Sequence, residues 1–347
     1  MSVLDDLKKI HQLDSKDALG VVAKQWQQLK YEFVAGDRTF EAGNYTNVVL
    51  AGMGGSALAA GMFSSWPKLS LPFEVVKNYD LPDYADGDTL FIASSYSGNT
   101  EETLSAIKQA VSKGCQIAVI AAGGELEQIA ASNNFPFFKI PEGIQPRMAV
   151  FYNFAALAKL FSLAGLIDQR KIEELHQAAE WLGEQSKSLL PDVPAVKNKA
   201  KQLAQELMGS SAVIYSGPKL YPAAYKWKIN LNENAKNIAW CNQYPEFNHN
   251  EFLGWTSHPV DKPYKIVELR SSLEHERVQK RFEASEKLLS GKRPHPEVVN
   301  AEGGSELEQL LWTIQLGDFV SIYLALLNGL NPTPVDLIEK LKSELKT

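Results

Sequence analysis

Apolar residues in this chain come in short unbroken runs that end on glycine or serine, separated by longer stretches whose apolar positions lie three and four apart. Residues 45–51 (Tyr-Thr-Asn-Val-Val-Leu-Ala) read as a buried strand that runs straight into glycines. Residues 73–76, 89–93 and 116–120 repeat such a run, and 103–113 has helical spacing. Strands alternating with helical stretches predict βαβ units, hence a parallel sheet with helices on both faces. The first domain is expected to close near residues 138–141, after an opening helical region over 3–34. Helices are expected at 149–164 and 171–189, and Pro191-Asp192-Val193-Pro194 then punctuates the chain. The domain boundary is placed in this stretch, giving one domain over 1–165 and a second over 166–347. Residues 211–217 restart the pattern and end on a small-residue turn, as residues 50–55 do. Strands follow at 237–240, 264–269 and 297–300, with helices at 273–289 and 305–327. A last helix, 335–345, comes after Pro332-Thr333-Pro334. The predicted fold class is α/β, two tandem three-layer αβα subdomains with mainly parallel sheets.

Length agrees with two domains, since 347 residues exceed one average domain. With 35 basic and 41 acidic residues the net charge is −6, so the chain as a whole offers no cationic face for nucleic acid or an anionic membrane. An anionic ligand would need a local site. The apolar run at 149–160 is interrupted by Asn153 and Lys159, and no membrane segment is expected. The first nine residues carry acids where a secretory signal would carry net positive charge, so a cytoplasmic location is expected. Cys115 and Cys241 lack CxxC spacing and read as small apolar side chains.

In open α/β sheets ligands collect at the carboxyl ends of strands. Two loops occupy such places: Gly52-Met53-Gly54-Gly55-Ser56 and Ser94-Ser95-Tyr96-Ser97-Gly98-Asn99-Thr100-Glu101-Glu102-Thr103. Glycine lets the backbone approach a ligand, hydroxyls donate hydrogen bonds, and the following helix presents unpaired N–H groups. Together they suit a phosphate. A Ser/Thr cluster ahead of a helix can instead be no more than an N-cap, which is the plain alternative for Thr100. Gly52, Gly54 and Ala57 also fit the looser G-x-G-x-x-A dinucleotide fingerprint. The ribose-binding acid would then be Glu74 or Asp80, neither at the right end of a strand, and the second loop would have no task. No Gly-Lys-Ser or Gly-Lys-Thr follows either glycine cluster, so a Walker loop is excluded. His249 and Glu251 do not form H-E-x-x-H and the six histidines are scattered, so no metal set and no cofactor are expected.

The second loop, with Gly52–Ser56, Gln145-Pro146-Arg147, Asn232-Glu233-Asn234-Ala235-Lys236 and Asn248-His249-Asn250-Glu251, resembles the sugar isomerase (SIS) fold. Within it the resemblance is to the bifunctional phosphoglucose/phosphomannose isomerases, and it spans the whole chain. It implies two SIS subdomains in tandem and an aldose–ketose isomerase acting through an enediol on hexose 6-phosphates. It implies Gly55, Ser56, Ser95, Ser97 and Thr100 as the phosphate site, and Arg147 as the residue that steadies the enediolate. Glu233 resembles the base that carries a proton between C2 and C1, a step that needs a positioned carboxylate. His249 resembles the ring-opening residue, a proton shuttle between the ring oxygen and the C1 hydroxyl. The family also uses a lysine near the C-terminus. On a helix whose apolar face is Leu337, Ile338, Leu341 and Leu345, Lys342 falls at the edge of that face and Lys340 further round, which favours Lys342. Pro222, Tyr225 and Trp227 are further pocket candidates, although aromatics at such spacing commonly belong to a core.

The resemblance further implies a sugar phosphate as the small-molecule partner and a homodimer in which the histidine crosses the interface. Three rivals remain: another SIS sugar-phosphate isomerase, a sugar-phosphate-sensing SIS module without turnover, and a dinucleotide oxidoreductase. Glu233 and His249 speak against the sensor.

Overall fold

The computed structural model describes residues 3–33, 43–63, 65–257 and 263–345. Two compact units make it up, Lys24–Gly183 and Met1–Ala23 with Glu184–Thr347. The division therefore differs from the expected 1–165 and 166–347, because the opening segment joins the later part of the chain.

In the Lys24–Gly183 unit the strands are β1 (Asn47–Ala51), β2 (Phe73–Val76), β3 (Thr89–Ser95), β4 (Gln116–Ala121) and β5 (Phe137–Lys139). All neighbours pair in parallel, in the order β2-β1-β3-β4-β5. Side chains alternate across a strand, so Val49 and Ala51 join one apolar cluster with Phe91, Ile107, Val119 and Leu126, while Val48 and Leu50 are buried on the other face. The helices Glu101–Ser112 and Gly124–Asn133 cover the first face. On the second, the helices Gly54–Phe63 and Val150–Leu163 pack through Phe63, Phe154 and Phe161, with ring centroids 5.0 Å apart in both pairs to Phe63.

The other unit repeats the scheme with β6 (Ser211–Ser216), β7 (Ala239–Gln243), β8 (Tyr264–Arg270) and β9 (Glu297–Asn300), parallel in the order β7-β6-β8-β9. One face packs Val213, Tyr215, Tyr244, Phe247 and Ile266 beneath Val278 and Phe282 of the helix Glu276–Leu288. Helices Lys199–Leu207, Tyr221–Glu233 and Glu306–Leu327 belong to this unit. The last of these is long and apolar enough to cross a membrane by length and composition, which the reading of apolar runs overlooked, and 94% of its apolar window is buried inside the protein. Among the described residues no other helix passes that test.

The expected opening helix over 3–34 is instead a set of short pieces: Val3–Asp5, Leu7–Leu13, Ala18–Ala23 and Gln25–Lys30. Asp14 divides them, its carboxylate accepting from the N–H groups of Ala18 at 2.8 Å and Leu19 at 2.9 Å. Val34 lies outside the described residues. The helix expected at 273–289 starts only at Glu276, because residues 271–274 form a turn with Glu274 N–H donating to Ser271 O.

Candidate active site

Strand order 2-1-3-4-5 places a topological switch point between β1 and β3, where neighbouring connections leave in opposite directions and open a crevice at the carboxyl ends. Both hydroxyl-bearing loops leave from there. The first turns into the helix Gly54–Phe63 and carries Ser56, which is buried. The second begins at Ser95, the last residue of β3.

Its hydroxyls converge. Ser95 Oγ lies 2.7 Å from Thr100 Oγ1 and 3.4 Å from Ser97 Oγ, and Gly98 N–H donates to Ser95 Oγ at 3.1 Å. Asn99 N–H donates to Ser97 Oγ at 3.2 Å. Thr100 occupies the N-cap position of the helix Glu101–Ser112, yet its side chain caps no backbone N–H. The plain N-cap alternative therefore fails for Thr100: its hydroxyl turns to the loop. Gly98 has φ +69, and a Cβ there would sit 1.7 Å from Gly123 O, so only glycine lets the loop fold back over the following strand.

Gly55 shows how closely the turn that bears Arg147 packs on the first loop. A Cβ on Gly55 would lie 2.7 Å from the carbonyl oxygen of Pro146, so the backbone of Pro146–Met148 presses directly on the first loop. Arg147 is only 3% exposed, and its guanidinium donates to Gln145 Oε1 at 3.2 Å. The approach to that turn is fastened by Tyr96, whose hydroxyl donates to Pro141 O at 3.1 Å and accepts from Ile144 N–H at 3.2 Å. Beyond the turn, Gln25 and Gln28 donate side-chain N–H groups to Met148 O at 3.2 and 2.9 Å. Below the second loop, Ser94 Oγ donates to Asn153 Oδ1 at 3.3 Å. Sequence reasoning gave no role to Tyr96, Gln25, Gln28 or Asn153. Tyr96 stood inside a recognised motif, whereas the glutamines act on backbone about 120 residues away.

In the second unit the matching crevice lies between β6 and β8. There Glu274 places its carboxylate against Gly217 and accepts from Lys219 N–H at 3.1 Å. A fixed carboxylate there opposes a phosphate.

Glu233 is the last residue of the helix Tyr221–Glu233 and is half-buried. Of the pocket candidates on this helix, Trp227 is core, its indole N–H donating to Thr313 O at 2.8 Å, and Pro222 is buried, while Tyr225 carries Lys228 over its ring at 5.5 Å. His249 closes the turn Glu246–His249 after β7 and is exposed. Both neighbours of His249 are tied down: Asn248 donates to Ser285 Oγ at 3.0 Å and accepts from Arg281 at 3.2 Å, and Asn250 donates to Glu246 Oε1 at 2.6 Å. Glu251 accepts from the hydroxyl of Tyr215 and from Asn242 at 2.7 Å. Burial and the Glu251 carboxylate push the Tyr215 hydroxyl far above the ordinary tyrosine range.

Glu233 and His249 are not brought together within the unit. A helix linking two parallel strands runs back along the sheet, so Glu233 stands at the amino end of β7 and His249 follows its carboxyl end. The strand alone spans roughly 13–17 Å at ~3.3 Å per residue. Lys342 lies on the helix Asp336–Glu344 and pairs with Glu339 at 2.8 Å. The apolar face expected to orient that helix is exposed, with Leu337 at 81%, so burial does not choose between Lys342 and Lys340. Among the described residues no three His, Cys, Asp or Glu side chains stand together as a metal-binding group.

Residues 196–345 match the family model described as the bacterial phospho-glucose isomerase C-terminal SIS domain. A protein of Aquifex aeolicus named bifunctional phosphoglucose/phosphomannose isomerase is 35% identical over 94% of this chain and 97% of its own length. A relative of the same name from Caldicellulosiruptor bescii is 38% identical over 88% of this chain and 91% of its own. Among solved structures, a glucose-6-phosphate isomerase like protein from Thermus thermophilus superposes with a TM-score of 0.64 at 20% identity, covering 97% of this chain and all of that one. That last likeness speaks for the fold, and the two sequence relatives for the family. The chain belongs to the family of bifunctional phosphoglucose/phosphomannose isomerases.

Proposed function

We propose that this protein interconverts glucose 6-phosphate and mannose 6-phosphate with fructose 6-phosphate through an enediol or enediolate. The observation that carries the reading is the hydroxyl trio of Ser95, Ser97 and Thr100 at the switch point, in which a residue placed to cap a helix gives its hydroxyl to the loop instead. A phosphate takes the place of these mutual hydrogen bonds. Gly55 and Ser56 complete the cradle, and the substrate is a small sugar phosphate.

The ring opens as His249 takes the C1 hydroxyl proton and returns a proton to the ring oxygen. The Glu233 carboxylate then removes the C2 proton of the open aldose. The C2–H electron pair becomes the C1–C2 double bond, and the C1 carbonyl oxygen becomes an enediol oxygen steadied by Arg147. Delivery of the same proton to C1, with transfer of the O2 proton to O1, leaves the C2 carbonyl of the ketose. Atoms and electrons balance within the substrate. Activity on both C2 epimers requires rotation about C2–C3 of the enediol, which turns either face of C2 toward the one base.

A homodimer is part of this reading. Base and ring-opening groups must both reach the C1–C2 end of one sugar, and the opposed positions of Glu233 and His249 along β7 support a histidine supplied by a second copy. Lys342 is assigned as the accessory lysine on the family pattern. We place the protein in the cytoplasm, a setting that suits its two free cysteines.

The test is conversion of glucose 6-phosphate and mannose 6-phosphate by purified, chelator-treated protein, following fructose 6-phosphate directly. Turnover of both is expected. Silence on both, with sugar-phosphate binding retained, overturns the reading in favour of a different SIS substrate or a sensor. In the same assay Glu233→Gln is expected to lose about 10²–10⁴ in kcat. Near-normal turnover of that variant removes the base assignment.

A further inference from the structure

The helix that ends on Glu233 is fastened to the Glu306–Leu327 helix by polar groups set into an otherwise apolar interface. Lys226, Asn230 and Glu233 are spaced by four and three residues, and at about 100° per residue they stay within an arc of about 60°. Lys226 Nζ lies 2.5 Å from Asp318 Oδ1, Asn230 Nδ2 donates to the same oxygen, and Lys226 also donates to Asn230 Oδ1 at 3.2 Å. One residue past Glu233, Asn234 donates Nδ2 to Ser321 Oγ at 2.8 Å. Ser321 Oγ in turn donates to Asp318 O at 2.8 Å. Every member of this ladder except Glu233 itself is no more than 2% exposed.

Burying a charged pair is costly, and apolar residues of the same volume usually hold two helices together at least as well. Apolar contact is non-directional and allows a helix to slide or rotate slightly. Charge-assisted hydrogen bonds accept one geometry. Such a ladder therefore adds registry rather than cohesion. Registry matters most where a carboxylate must stand within hydrogen-bond reach of a carbon-bound proton.

We infer that Asp318 and Ser321 are positioning residues for the base: through Lys226, Asn230 and Asn234 they fix the rotation and advance of the helix that presents Glu233. The inference rests on the reading of Glu233 as base.

The experiment compares three full-length variants: Glu233→Gln, Ser321→Ala, and the apolar replacement Lys226→Met/Asn230→Leu/Asp318→Leu. Thermal midpoint, kcat and KM for glucose 6-phosphate are measured for each. The apolar replacement is expected to keep or raise the midpoint, to lose about 10- to 100-fold in kcat, and to leave KM within about twofold because the phosphate loops are untouched. Ser321→Ala is expected to move kcat in the same direction by less and to lower the midpoint, since it breaks the buried bond from Asn234. A well-folded apolar replacement with wild-type kcat overturns the inference, since a structural role alone predicts that outcome. If that variant does not fold, an unchanged kcat in Ser321→Ala overturns it equally. Near-normal turnover of Glu233→Gln removes the base and the inference together, whereas an inactive Glu233→Gln beside a fully active apolar replacement removes the positioning role alone.

Discussion

At Thr100 the place in the chain and the direction of the hydroxyl point to different roles. Its place before a helix invites the reading that it caps, and its hydroxyl instead stands 2.7 Å from Ser95 Oγ. Thr100→Ala should therefore leave thermal stability almost unchanged, where loss of a working cap costs about 1 kcal/mol, and raise KM for the sugar phosphate with little change in kcat. Parallel melting curves and steady-state kinetics decide it. Gly55→Ala makes the contrasting case. The added methyl meets Pro146 O at 2.7 Å, so the turn bearing Arg147 must move, and kcat/KM should fall at least about tenfold through kcat. The two loops were legible as strand-to-helix turns because their residue types and spacings are local, whereas Arg147 came from the family resemblance. Gln25, Gln28 and Asn153 were not, because what each holds lies far away in sequence and no spacing announces it.

Elements were legible where burial is two-sided. β1, β3 and β4 are built on continuous apolar runs, and their observed ends fall within about two residues of those expected. β5 was missed because it is three residues long, with only Phe138 fully buried. The opening region has helical spacing throughout, but Asp14 offers its carboxylate to two N–H groups downstream and restarts the helix, a competition that apolar periodicity does not register. The helix Glu306–Leu327 is apolar on all sides, so composition alone cannot tell a core helix from a spanning one; its polar members Gln309, Gln315 and Asp318 are buried and hydrogen-bonded. Its start is set by a capping box in which Ser305 and Glu308 satisfy each other's backbone. Ser305→Ala is expected to cost about 1 kcal/mol in urea unfolding without altering KM.

For the whole molecule, the division of the chain was the least legible property, since it depends on partners at opposite ends of the sequence. Lys201 shows the bond that makes it. This fully buried lysine donates to the carbonyls of Leu4 at 2.5 Å, Pro191 at 2.8 Å and Val193 at 2.8 Å, and Asp5 Oδ1 accepts from Ala195 N–H at 2.8 Å. Desolvation pulls its ammonium below the ordinary lysine range, and the carbonyls and Asp5 compensate. Lys201→Met strands those carbonyls and should cost about 2–4 kcal/mol, with residues 3–23 becoming the first site of proteolysis. The shared membership of the opening segment and the last third of the chain also sets an order of manufacture. Everything in the Lys24–Gly183 unit has left the ribosome before the second sheet exists, so the two hydroxyl-bearing loops can close while synthesis continues. Leu4, Leu19 and Val22 lie on pieces that pack against the helix Glu306–Leu327 and wait for it, about 300 residues later, which at ~5–20 residues per second is roughly 15–60 s of exposed apolar surface. A nascent chain halted before that helix would carry finished hydroxyl loops and a Glu233 helix with nothing to hold it in place.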